Sequence, residues 1–408
     1  MLTNEEKPEA VYASADRPTV PSEVTPDTDL GSLNLNWRES DLPEKERTKH
    51  VHRLHPYLGK FIPQLAEIFL RKYFAAGQTV LDPFCGSGTA LVQANELGIN
   101  STGCDVSAFN ALLCIAKTAR YNLEQVRKEV MDILEKTRAA TQSGSYQLTL
   151  WGAPPTIQPL SETDDQYLLD WFAPQARQEL LTYCRLIETE GYEYQNLLKV
   201  ILSRSARSAR LTTHYDLDFP KTPQREPYWC YKHSRVCQPT TEAFKFLNQY
   251  SLDTVKRIAE FAAIRTNATV KVCHADSRHA VFTPIDGVIT SPPYVGLIDY
   301  HQQHAYAYHL LGLEDKRNQE IGAAANGSSQ KAKRQYQEDI AAVFRRAADA
   351  MPSGGRLIVV AGDKDSLYSE IADLAGVEVE SIIQRHVNRR TGRRSSEFYE
   401  SVFIWRKP

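Results

Sequence analysis

The tightest constraint on the fold lies at residues 79–89. A short apolar run, Thr79–Leu81, reads as a strand and passes directly into Asp82-Pro83-Phe84-Cys85-Gly86-Ser87-Gly88-Thr89. Gly86 and Gly88 carry no side chains, so a ligand can approach the backbone closely there. A helical period runs from Thr89 to Leu97, and Gly98 stands where a C-cap would. The free N–H groups and positive dipole end of that helix face the turn. Asp82 then sits at the carboxyl end of the first strand, where open α/β sheets bind ligands. The next strand, Ser101–Cys104, runs into a second acid, Asp105, placed to accept from ribose hydroxyls. Alone, a Gly-x-Gly turn also fits a tight turn that merely needs glycines.

The neighbouring segments extend this unit into a sheet. Pro63–Tyr73 has Leu65, Ile68, Phe69 and Tyr73 on one helical face, with proline at its start. Another helix begins near Ser107. Strand–helix alternation of this kind marks a parallel, doubly wound sheet. It stops near residue 120, where a mainly helical period takes over, interrupted by an irregular Pro/Tyr/Arg-rich stretch at 211–240. Strands resume at Thr269–Cys273, Gly287–Thr290 and Arg356–Ala361, and the chain closes with Glu400–Trp405. The expected fold is α/β: a doubly wound, Rossmann-like sheet from residues 48–120 and 268–408, with a mainly helical insertion at 121–267. Gly322–Ser329 is small and polar and reads as a mobile loop.

Composition narrows the class. The chain of 408 residues holds 48 Lys+Arg against 50 Asp+Glu, so bulk charge announces no nucleic-acid partner. The balance is uneven, however. Residues 1–47 carry eleven acids and five bases, five prolines and no hydrophobic period, and read as a disordered acidic tail. The remainder is mildly basic. Seven cysteines, an odd number over a long chain, argue for a reducing cytoplasm rather than a disulfide framework. No run approaches the ~18 apolar residues of a membrane span.

A second chemical signal follows the strand Gly287–Thr290: Thr290-Ser291-Pro292-Pro293-Tyr294. Two prolines force a rigid, extended loop and leave carbonyls without competing N–H groups. Ser291 adds a hydroxyl, and Tyr294 a flat face for stacking. An exocyclic amino group is a poor nucleophile because its lone pair is delocalised into the ring. Two acceptors on its hydrogens release that lone pair, while the aromatic face holds a flipped base. Catalysis of this kind is positioning plus polar preorganisation.

Both motifs resemble those of the DNA amino-methyltransferases. DPFCGSGT is similar to their first motif, which binds S-adenosylmethionine through an FxGxG turn, and TSPPY to their fourth. The resemblance implies a class I methyltransferase sheet, S-adenosylmethionine as cofactor and double-stranded DNA as partner. Ser291, Pro292, Pro293 and Tyr294 would be catalytic. Asp82, Phe84, Gly86, Ser87, Gly88, Thr89 and Asp105 would hold the cofactor. His55-Pro56-Tyr57-Leu58-Gly59-Lys60-Phe61 looks like the motif lining the methionine part, which implicates His55, Tyr57, Lys60 and Phe61. Asp276 falls in the motif after the third strand and would accept from the adenine amino group. Asp299-Tyr300 with His304 resembles the continuation after SPPY, and Met351–Ala361 the Gly-rich turn and fifth strand. Serine at position 291 favours cytosine N4 over adenine N6, where an acid is more common. The implied setting is restriction–modification or phage defence, with a possible cognate endonuclease. An RNA substrate and an inactive recognition subunit are the competing readings. Cytosine-C5 chemistry needs a Pro-Cys pair, which this sequence lacks.

Two basic segments are candidate DNA contacts. Residues 203–239 carry seven Lys/Arg against three acids. Arg204, Arg207 and Arg210 are spaced by three on one helical face, and Lys232 and Arg235 interleave with Tyr228, Trp229 and Tyr231. A solvated basic face with a small aromatic cluster fits equally. Near the C-terminus, Arg385, Arg389, Arg390, Arg393 and Arg394 crowd one loop between two expected strands, and a phosphate backbone would relieve their repulsion. Cys230-x2-His233-x3-Cys237 has zinc-like spacing but only three ligands. His214 or Cys184 could complete it; packed thiols and a surface histidine are the plainer reading, and no metal is assigned.

Overall fold

The computed structural model describes residues 17–141, 162–387 and 398–408. Its strands are β1 (Thr79–Asp82), β2 (Asn100–Asp105), β3 (Tyr228–Cys230), β4 (Arg235–Cys237), β5 (Val270–His274), β6 (Gly287–Thr290), β7 (Arg356–Ala361), β8 (Glu378–Val387) and β9 (Phe398–Arg406). Seven form one sheet in the order β5-β2-β1-β6-β7-β9-β8. The first five are parallel to one another, and β9 runs antiparallel between β7 and β8. Strand order reverses between β1 and β6, whose carboxyl ends carry the two chemical motifs. That is the switch point at which such sheets bind ligands.

Both faces of the sheet are covered, so its central strands read as apolar runs rather than alternating ones. Side chains still alternate. Val80, Ile289, Ile358 and Val360 face a core built with Leu65, Ile68 and Phe69 of the Pro63–Tyr73 helix. Leu81, Val288, Leu357 and Val359 face the opposite core, with Ile340 and Phe344 of the Gln330–Asp349 helix and Ile371 of the Tyr368–Ala375 helix. Burying each such side chain is worth about 1.5–3 kcal/mol.

The expectation of a disordered tail fails for residues 17–47. Leu33, Leu35 and Trp37 alternate with Asn34 and Asn36 and are buried in the first of those cores. Trp37 Nε1 donates to Thr19 O at 3.1 Å, and the His386 N–H of β8 donates to Asn36 Oδ1 at 2.6 Å. A period-two signal of three residues, diluted by acids and prolines, docks this segment against the sheet. Gly322–Ser329 is likewise tied to the segment that follows Tyr294: Gly296 N–H donates to Gly322 O at 2.9 Å.

The insertion shares its core with the sheet's helices. Val130, Ile133, Leu180, Tyr183, Leu198 and Ile201 pack in one cluster with Phe109 and Leu113 of the Ala108–Thr118 helix and Tyr306 of the Ala305–Leu311 helix. Buried carboxylates fix its turns. Glu179 accepts from the N–H groups of Ala243 and Phe244, at 2.6 and 2.7 Å, where the Phe244–Ala262 helix begins. The irregular stretch contains the β3–β4 hairpin. Among the described residues, no helix is long and apolar enough to cross a membrane.

Candidate active site

The Gly-rich turn is bound from beneath. Gly86 and Gly88 take left-handed conformations, φ +47° and +78°. Gly86 N–H donates to Asp105 Oδ2 at 2.8 Å, and Cys85 N–H to Cys104 O at 3.1 Å. Cys114 Sγ lies 3.3 Å from Gly86 O, and Lys117 Nζ donates to Ser87 O at 2.6 Å. Lys117 is fully buried, which pushes its pKa down to about 7. Asp105 also accepts from Ser107 N–H and Asn110 Nδ2, at 2.9 and 3.0 Å. Burial raises its pKa, and these three hydrogen bonds oppose the rise.

The second motif joins the first through one hydrogen bond. Thr290 Oγ1, at the end of β6, donates to Asp82 Oδ1, at the end of β1, at 2.6 Å. Beyond it, Tyr336 OH donates to Pro293 O at 2.8 Å. The Ser291 hydroxyl and the Pro292 carbonyl have no such partner among the described residues. Tyr294 OH donates to Glu400 Oε1 at 3.2 Å, and Arg385 Nε holds the same carboxylate at 2.9 Å. Thus β8 and β9 position the Ser291–Tyr294 loop.

One cavity, partly open to solvent, lies between the two motifs. Its walls bring together Tyr57, Lys60, Phe61, Phe84, Gly86, Ser87, Thr89, Asp105, Asp276, Ser291 and Pro293. Gly59 and Tyr300, which the sequence placed in motifs without a role of their own, line the same space, as do Ser107, Asn110 and Glu320, which sequence reasoning missed as site residues. Ser107 could have been found as the N-cap it is, accepting from Asn110 N–H; Glu320 had no local signal. The cavity also exposes a need. The hydroxyls of Ser87 and Thr89 and the Asn110 Oδ1 are buried with no partner in the protein, and such groups call for a polar ligand.

The chain's relatives decide what that ligand is. Residues 4–118 match the family model described as DNA methylase. The chain is 36% identical to the type II methyltransferase M.MjaII of Methanocaldococcus jannaschii, over 89% of this chain and 81% of that protein. The chain belongs to the type II DNA amino-methyltransferases. It is also 22% identical to the type II methyltransferase M.BsoBI of Geobacillus stearothermophilus, over 69% of this chain and 56% of that protein. As a DNA amino-methyltransferase it takes S-adenosylmethionine as cofactor. The cavity fits that molecule: donors and acceptors converge on it, and Gly86 leaves room at the turn.

Several expected residues of this methyltransferase sit elsewhere than the sequence suggested. His55 lies in an aromatic cluster with Phe109, His304 and Tyr306, behind the cavity wall. Gly88 abuts Cys114, where a Cβ would come within 3.0 Å of the sulfur. Asp276 lines the cavity but is clasped by Arg278, whose hydrogen bonds and charge hold its pKa low against the opposing push of burial. His301 is fully buried against Glu320. His304 is held near a pKa of 3 by burial, and its Nδ1 is 2.9 Å from Tyr300 O. Asp299 caps the Tyr300–Gln303 helix by accepting from Gln302 N–H.

The arginine triad is corrected more sharply. Arg204 and Arg210 are buried and Arg207 half-buried, so the three form no open phosphate-facing row. Arg204 pairs with Asp253 at 2.7 Å and stacks on Tyr250; Arg207 pairs with Asp218; Arg210 donates to Leu217 O and stacks on Tyr306. A spacing of three cannot distinguish a solvent face from a stripe matched by acids outside the helix. Arg385 belongs to β8 rather than to a loop. Lys232 and Arg235 are exposed. Arg389, Arg390, Arg393 and Arg394 lie outside the described residues.

Asp82 gives a measurable pH signature. Burial pushes its carboxyl up to about 7, against the hydrogen bonds from Thr290 and Phe84 N–H. Between about pH 4 and 7 the folded chain keeps a proton that the unfolded chain has released. Stability therefore falls as pH rises through that window and levels off above it. The whole displacement corresponds to at most about 4 kcal/mol. Asp82→Asn is expected to reduce this fall, leaving the smaller share owed to Asp105, read as the difference in urea stability between about pH 5 and 8. A slope that survives the substitution undiminished would place the titration on another group.

Proposed function

We propose that the chain methylates the exocyclic N4 amino group of cytosine in duplex DNA, at a short specific sequence, as the modifying partner of a restriction endonuclease. The observation that carries this reading is the Ser291–Tyr294 loop beside the cofactor cavity. Ser291 supplies a neutral acceptor at the position where adenine enzymes more often carry an acid.

In this reading Tyr57, Phe61, Ser87, Thr89, Asp105 and Asp276 hold S-adenosylmethionine, which when bound supplies an electrophilic methyl carbon. The rest is done by this chain's own groups. Ser291 Oγ and Pro292 O accept the two hydrogens of the amino group and draw its lone pair out of ring conjugation. Pro293 O plays no part in this, because Tyr336 occupies it. Tyr294 stacks on the flipped base, its ring held by the Glu400 contact. No strong base is required, since water can take the amino proton. His301 and His304 fit that economy, each being engaged with a neighbour rather than open to the cavity.

The methylated nucleoside left in the DNA of a host without methylation of its own tests the choice of base. Contact with the phosphates is tested separately. Lys232→Ala/Arg235→Ala is expected to weaken DNA binding and lower the slope of log K against log salt by about two. An unchanged slope would return these two residues to ordinary surface charge.

A further inference from the structure

We propose that His214, Cys230, His233 and Cys237 bind one zinc ion, forming a structural Cys2His2 site that staples the β3–β4 hairpin to the rest of the insertion.

The ligand atoms of these four residues all lie within 4.8 Å of one another. Cys230 Sγ is 3.5 Å from His233 Nδ1 and 3.8 Å from His214 Nδ1; Cys237 Sγ is 3.5 Å from His233 Nδ1. A tetrahedral zinc ion, with Zn–S of about 2.3 Å and Zn–N of about 2.0–2.1 Å, sets its sulfur and nitrogen ligands about 3.6 Å apart. The three sulfur–nitrogen spacings match edges of such a tetrahedron, and the remaining pairs of ligand atoms lie within 4.8 Å.

Topology supplies the ligands in the manner of a zinc staple. Cys230 ends β3, His233 sits in the turn, and Cys237 ends β4. Ser234 takes a positive φ of 49°, which closes the turn around the ligand cluster. His214 comes from the preceding loop, so an ion would tie the hairpin to the end of the Gln195–Ala209 helix. Cys184, the other candidate for a fourth ligand, lies elsewhere, with Sγ 3.3 Å from Leu310 O.

The hairpin needs such a staple. Among the described residues its buried apolar cluster consists of Tyr228, Cys230 and Cys237. Trp229, Tyr231 and Val236 point outward, 52%, 74% and 60% exposed. An isolated two-stranded hairpin is marginal in water, and two buried thiols add little packing. Zinc binding would release the two thiol protons and add its free energy to folding. It would also fix the direction in which Lys232 and Arg235 project.

Metal analysis of the full chain, purified without chelator, is the test. The expected result is about one zinc per chain, lost in Cys230→Ser/Cys237→Ser and retained in Cys184→Ser. Replacing zinc by cobalt in the wild-type chain gives a readout that does not depend on variants folding. The expected spectrum has the intense visible bands of tetrahedral cobalt and a thiolate charge-transfer band. A chain that retains no zinc and gives no such spectrum overturns the proposal. So does zinc that survives loss of both thiols, which would assign it to the separate His50, His52 and Glu96 cluster. A Cys230–Cys237 disulfide in the freshly purified chain, detected as a loss of two hydrogens by mass spectrometry, would overturn it as well.

Discussion

Ser291→Ala is expected to lower kcat for methyl transfer by about 10²–10³-fold, the usual effect of removing one preorganised polar group from a transition state. Ser291 follows the strand whose last residue, Thr290, is locked to Asp82. The backbone that presents the hydroxyl is therefore held by the sheet and should not move when the hydroxyl is deleted. Affinity for S-adenosylmethionine is expected to stay near the wild-type value, because the Gly-rich turn is braced from the other side by Asp105 and Lys117. Tyr294→Ala should lose the stacking contact, worth about 1–3 kcal/mol per base, while likewise sparing the cofactor. Single-turnover rates and calorimetric cofactor titrations separate the two effects. A Ser291→Ala enzyme with wild-type kcat would remove this residue from the chemistry.

Gly86→Val should do the reverse and abolish cofactor binding. Its φ of +47° is costly for a β-branched residue. A Cβ at this position would lie 3.0 Å from Tyr57 Oη, in the wall of the cavity. The turn must therefore deform, and with it the Gly86 N–H donated to Asp105. We expect affinity to fall by at least about 100-fold, or roughly 3 kcal/mol. Gly86→Ala should fall between wild type and valine, since it brings the steric clash without the branched side chain. Normal binding by the valine variant would place the cofactor away from this turn.

The contrast between these two variants reflects how the fold divides its labour, and that division was readable in the sequence. β6 and β7 fall on the residues expected for them, because both faces of the central sheet are covered and the apolar runs are short and sharply bounded. The two motifs meet because they end adjacent strands at the switch point, which follows from topology alone. Elsewhere the sequence was silent or misleading. Leu33, Leu35 and Trp37 pair with a sheet surface that local composition does not describe. Arg204, Arg207 and Arg210 look like a phosphate face until Asp218 folds back from the following loop and Asp253 and the ring of Tyr306 arrive from farther along the chain. The Cys230 motif showed three ligands, and only the hairpin's packing brought His214 to them. In each case the deciding partner lies outside the element concerned, so no local period could reveal it.

The most direct test is nucleoside mass spectrometry of genomic DNA from a methylation-deficient host that expresses the wild-type chain or Ser291→Ala. The expected result is a 4-methylcytosine peak with the wild type that is absent with Ser291→Ala. A 6-methyladenine peak in its place would contradict cytosine as the base, and with it the reading of Ser291. Neither modified base, from a chain shown to bind S-adenosylmethionine, would contradict the claim that this loop and cavity methylate host DNA unaided.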